Sequence, residues 1–121
     1  MTATNLKPYV ERAQVVVVVD EDPDTSWLEQ GEWTDRLEAY RRGDFYFVGV
    51  YAEARIRFQT PQGGWTQGAY VRTPGVWGIE SDSDESCLAE VGNEEQGELA
   101  EMLEALNVTI SSDPLPISYR T

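Results

Sequence analysis

Residues 44–60 read Asp-Phe-Tyr-Phe-Val-Gly-Val-Tyr-Ala-Glu-Ala-Arg-Ile-Arg-Phe-Gln-Thr, and their alternation decides the fold class. The even positions, Tyr46, Val48, Val50, Ala52, Ala54, Ile56 and Phe58, are all compatible with burial. The odd positions begin apolar at Phe45, Phe47 and Tyr51 and end polar at Glu53, Arg55, Arg57 and Gln59. A period of two with that drift predicts a long strand covered on both faces at its start and on one face at its end. Gly49 marks a bend or bulge within it.

Working outward, Pro61-Gln62-Gly63-Gly64 is turn chemistry, so residues 65–72 are expected to return as the second arm of a hairpin. After the breaker Thr73-Pro74-Gly75, residues 76–79 read as another short strand. Upstream, five consecutive valines at 15–19 leave no polar face, which predicts an interior strand. Asp22 then reads as an N-cap with Pro23 in the first helical turn of a short helix through Trp27 and Leu28. A second helix is expected from about residue 32 to 42, with Trp33, Leu37 and Tyr40 on one face and Gly43 as its stop.

From Asp82 the period becomes helical. Asp82 or Ser83 can cap, and Leu88, Val91, Leu99, Met102, Leu103 and Leu106 form one apolar stripe over residues 83–106. Glu95 falls on that stripe, so a kink or break near Gly92 is expected. Residues 108–110 alternate like a candidate final strand, and the tail from Asp113, with Pro114 and Pro116, is expected to be extended. The predicted class is α+β: one domain over residues 1–121, with a mainly antiparallel sheet of four or five strands. The sheet packs against one long acidic C-terminal helix and short N-terminal helices.

Charge narrows the range of functions. The chain has 121 residues with 22 acids, 9 Lys or Arg and no His, a net charge of -13. Between Arg72 and Arg120 there is no base at all, against 11 acids. The helical projection places Glu90, Glu94, Glu101 and Glu104 opposite the apolar stripe, with Glu98 at its margin. One reading is a solvated face of an acidic protein. The other is a row of carboxylates imitating nucleic-acid phosphates, extended by Asp82, Asp84 and Glu85. The expected partner is then a basic nucleic-acid-binding protein, with no direct binding of nucleic acid or anionic membrane by a chain of this charge.

Catalytic chemistry has little support. Without His, Ser-His and Cys-His activation are excluded. Cys87, the only cysteine, reads as a small packed hydrophobe and permits no intrachain disulfide, which fits a reducing cytoplasm. The N-terminus lacks an apolar stretch of signal-peptide length, and the valine run is far short of the ~20 residues a membrane span needs. Asp20, Asp22 and Asp24 beside a strand end raise a metal site as an alternative, although capping and solvation explain them as well, and a carboxylate enzyme would need a concave pocket joining Asp20, Asp22 or Glu80. Neither a cofactor nor a catalytic residue is expected. Trp33 and Trp77 read as core, and Trp27 and Trp65, near turns, as candidate exposed anchors of a generic interaction module.

The segment 73–91, Thr-Pro-Gly-Val-Trp-Gly-Ile-Glu-Ser-Asp-Ser-Asp-Glu-Ser-Cys-Leu-Ala-Glu-Val, resembles small uncharacterised proteins of bacteriophages and bacterial mobile elements. The likeness extends to residues 40–51, Tyr-Arg-Arg-Gly-Asp-Phe-Tyr-Phe-Val-Gly-Val-Tyr. It implies a setting in which small acidic proteins often inhibit host defence nucleases. Anti-restriction and anti-CRISPR proteins of the DNA-mimic kind are similar in charge, though they share no common fold.

Overall fold

The computed structural model describes residues 8–60, 62–66, 68–110 and 113–120. Five strands, β1 (Pro8–Val19), β2 (Phe47–Phe58), β3 (Ala69–Arg72), β4 (Val76–Glu80) and β5 (Ile117–Arg120), form one sheet in the order β3-β2-β1-β5, with β4 also paired to β2. Two α-helices, α1 (Thr34–Arg41) and α2 (Glu85–Glu104), complete an α+β architecture. The long strand read from residues 44–60 is β2, paired on both sides and buried from Phe47 through Ala54.

The valine run forms the buried end of a strand longer than expected. β1 pairs antiparallel with β2 from Pro8↔Phe58 to Val19↔Val48, with an irregularity between Val10 and Arg12. The even positions of β2 face α2, where Val50, Ala52, Ala54 and Ile56 pack with Val15, Val17, Leu88, Leu99 and Leu103. Its odd positions face the other way. There Phe47 joins Leu28 and Phe45 in a second small core, under Trp27, Leu37 and Tyr40.

The N-terminal helices are shorter than the sequence reading. Asp22 does not cap a helix at Pro23. Instead the Asp22 amide donates to Asp20 Oδ1 and the Ser26 amide to Asp24 Oδ1, and a 3-10 turn runs over Ser26–Glu29. Such side-chain to backbone bonds offer the chain an alternative to helix. A second 3-10 turn, Gly31–Trp33, leads into α1. Trp33 thereby leaves the core and lies half open, edge-on to Trp27.

Trp77 also corrects its expectation, being 48% exposed. Its indole lies flat over Gly49, where an added Cβ would sit 2.1 Å from the ring, and stacks on Tyr51. Gly49 therefore makes room for an aromatic ring on the sheet, and the β2–β4 register shifts between Val48 and Val50.

α2 runs unbroken through Gly92. A Cβ there would meet Val15 Cγ1 at 3.2 Å, so the missing side chain brings the helix close to β1. Glu95 is buried and satisfied rather than misplaced. Its Oε1 accepts from the Thr73 hydroxyl at 2.7 Å, and that hydroxyl accepts from the Ala52 amide at 3.0 Å. Such a polar triad is tolerated in a core because each member has a partner. Asp84, not Asp82 or Ser83, caps the helix: the Cys87 amide donates to its Oδ1 at 2.9 Å. Cys87 itself is exposed.

Residues 108–110 form no strand. Asn107 adopts φ 60°, the Val108 amide closes back onto the Leu103 carbonyl, and Val108 drops into the core. This is a left-handed helix ending. The last strand is β5, parallel to β1 from Val15↔Ile117 to Val18↔Arg120. The hairpin arm from residue 65 is also shorter than expected: among the described residues, an isolated bridge Gln59↔Trp65 precedes β3, which begins at Ala69. Among the described residues, no helix is long and apolar enough to cross a membrane.

Candidate functional site

α2 carries a one-sided acidic ridge. At 3.6 residues per turn, Glu90, Glu94, Glu98, Glu101 and Glu104 fall within an arc of about 120°, and at 1.5 Å per residue they span roughly 21 Å. All five are exposed, on the side of the helix opposite Leu88, Leu99 and Leu103. Like-charge neighbours cost a few tenths of a kcal/mol per pair, and the last turn has no base to match the helix dipole. Each of the three buried leucines returns about 1.5–3 kcal/mol. The helix thus holds its shape because the sheet binds its other face, in spite of its own charge.

The ion pairs among the described residues lie elsewhere. Arg36 pairs with Glu80 and Asp82, Arg42 with Asp44, Arg55 and Arg57 with Glu11, and Arg72 and Arg120 with Glu53. None of these pairs reaches α2, so among the described residues the five glutamates have no ion-pair partner. The three residues expected to extend the row do not. Asp82 receives Nη1 and Nη2 of Arg36, each at 3.0 Å. The Asp84 carboxylate is taken up by the Cys87 amide and the Ser86 hydroxyl, which hold its pKa low. Glu85 is exposed but lies about 140° around the axis from Glu90.

Across the sheet, Glu53 is 2% exposed and collects three donors. Gln14 Nε2 at 2.8 Å and Arg120 Nη2 at 2.7 Å donate to Oε1, and Arg72 Nη2 at 3.2 Å donates to Oε2. Burial pushes this carboxyl up, but the bonds from Gln14, Arg120 and Arg72 together outweigh it and leave the pKa below the usual range. Arg120 also donates to the Tyr51 hydroxyl, and the Arg72 guanidinium sits 4.6 Å over the Tyr51 ring. This network pins β5 to the sheet. A group with a depressed folded pKa stabilises fully above its unfolded pKa and loses that contribution as pH falls through the folded one. Chemical denaturation of wild type and Glu53→Gln should therefore give well-separated midpoints at neutral pH, converging as the pH drops below the ordinary carboxylate range. Parallel curves at every pH would remove Glu53 from the role.

The same face carries Arg12, whose Nη2 donates to the Tyr70 hydroxyl at 3.0 Å, and Arg55, whose guanidinium lies 5.9 Å from the Tyr70 ring. Trp65 and Tyr70 are each 49% exposed, and Tyr9 meets Trp65 edge-on at 4.7 Å. Residues 53–57 hinted at a polar face. Its gathering from Arg12, Arg72 and Arg120 was hidden, because those residues are far apart in the chain.

Asp20, Asp22 and Asp24 line an open cleft of about 460 Å³ with Trp27, Trp77 and Gly78. Asp20 Oδ2 accepts from the Gly78 amide, and Asp24 accepts from both the amide and hydroxyl of Ser26, bonds that hold the Asp24 pKa low. These carboxylates shape the loop. Among the described residues, no three His, Cys, Asp or Glu side chains are grouped to hold a metal.

No protein-family model, curated protein or solved structure matches this chain.

Proposed function

We propose that this chain is a non-enzymatic inhibitor that uses the α2 ridge to occupy a basic nucleic-acid-binding surface on another protein. The class of partner is a nucleic-acid-binding complex of host defence, following the resemblance to proteins of mobile elements. One observation carries the reading: five exposed glutamates share one face of a 20-residue helix, and every ion pair among the described residues is made elsewhere. Their spacing averages about 5 Å along the axis, against ~3.4 Å for the phosphates of one DNA strand. A surface built to bind phosphates meets in this ridge charges of the right sign at comparable density, already ordered by the fold.

The test is capture from a lysate of the host cell on immobilised wild type and on the triple variant Glu94→Lys, Glu98→Lys, Glu101→Lys. A nucleic-acid-binding protein should be retained by the wild type at low salt, released at high salt, and displaced by added duplex DNA. The triple variant should lose affinity for that protein by about a hundredfold or more, because like charges then face one another. Equal retention by both forms would reduce the ridge to a solubilising surface.

A further inference from the structure

We propose that the sheet face opposite α2 is a second binding surface, taking a short single-stranded nucleic-acid segment. This goes beyond the ridge and does not depend on it.

The face sorts charge in a way the sequence conceals. At the end of it away from the second small core, Arg12, Arg55, Arg57, Arg72 and Arg120 all project, and the carboxylates that pair with them among the described residues are Glu11 and Glu53. Within this patch, five cations against two anions leave three positive charges in excess, on a protein of net charge -13. Arg12 has the Tyr70 hydroxyl as its hydrogen-bond partner and, among the described residues, no ion pair. Beside these charges stand three exposed rings, Tyr9, Trp65 and Tyr70. At this end of the face, the exposed large hydrophobic side chains are all aromatic. Flat rings interleaved with guanidinium groups fit bases and phosphates, the combination single strands recognise. Duplex DNA hides its bases from such rings, so the single strand is the better match.

The overall negative charge does not forbid this. The glutamates of α2 project from the far side of a helix about 10–12 Å across, and the Debye length at physiological ionic strength is about 8 Å. The ridge is therefore largely screened from the opposite face. The acids within this patch, Glu11 and Glu53, are already occupied by arginines, and Asp20, Asp22 and Asp24 lie at the other end of the face beside Trp77.

Fluorescence anisotropy of labelled octathymidylate and octauridylate tests the proposal on the intact protein. Binding is expected at about 50 mM salt and should weaken roughly twentyfold by about 200 mM, the slope for some three contacted phosphates on a single strand. Trp65→Ala and Tyr70→Ala should each weaken it about tenfold, whereas Tyr70→Phe, which keeps the ring, should not. The triple lysine variant of α2 should bind at least as well as wild type, so loss of the ridge's partner and loss of this site are separable. Circular dichroism of each variant confirms its fold. The DNA and RNA arms show which sugar is preferred. No binding of either octamer at low salt would overturn the proposal. So would equal affinity for the duplex, or indifference to both alanine substitutions.

Discussion

Leu99→Ala is expected to lower the unfolding free energy by about 2–5 kcal/mol, the range for a buried leucine that leaves a cavity. Leu99 has no exposed surface and sits between α2 and the even face of β2 with Val50, Ala52 and Leu103. A domain of this size holds about 5–15 kcal/mol in total, so the loss is a large share of what keeps the helix on the sheet. A thermal or urea melt followed by circular dichroism reads it directly. Gly97→Ala serves as the control, because Gly97 lies on the open side of the same helix with nothing within 4 Å of an added Cβ. It should stabilise by about 0.5–1 kcal/mol through helix propensity alone. If both substitutions shifted the midpoint equally, α2 would not be held by this core. The functional consequence is direct: a helix with a row of like charges and no cation in its last turn depends on that core to stay helical, so the ridge should lose order with Leu99.

Thr73→Val is expected to cost about 2–3 kcal/mol although it preserves shape and volume. The Thr73 hydroxyl donates to buried Glu95 and accepts from the Ala52 amide, and Thr73 and Glu95 are only 1% and 5% exposed. Valine would leave a carboxylate and a backbone N–H without these bonds away from water, and the penalty for an unmet buried group exceeds the value of the bond itself. Thr73→Ser keeps the hydroxyl and should cost under about 1 kcal/mol, as a loss of one methyl. A denaturant series on the three proteins decides it, and a valine variant as stable as the serine variant would mean that water reaches the triad. The triad ties the β3–β4 connection to the middle of α2, so it also fixes where the ridge stands relative to the sheet.

Two local signals made most of this fold legible. The alternation over residues 46–58 and the apolar stripe from Leu88 to Leu103 each follow from the repeat of a single element, and each is present in the structure as β2 and α2. The five ridge glutamates were legible for the same reason, since position on one helix fixes the side they face. Capping was less so. Asp82, Ser83 and Asp84 all have suitable side chains; in the structure Asp84 caps the helix, while Asp82 pairs with Arg36 from α1.

The sequence by itself determined the sheet's long central strand, the acidic helix and the segregation of bases from the stretch between Arg72 and Arg120. These properties depend on neighbours within a few residues. The tertiary structure alone decided that β5 returns parallel to β1, that Glu95 is buried against Thr73, and that Trp77 lies open over Gly49. It also decided that five scattered arginines share one face with exposed tyrosines and a tryptophan. Each of these is a contact between residues far apart in the chain, and no periodicity records which distant partners a strand will pair with or which arginine will reach which acid.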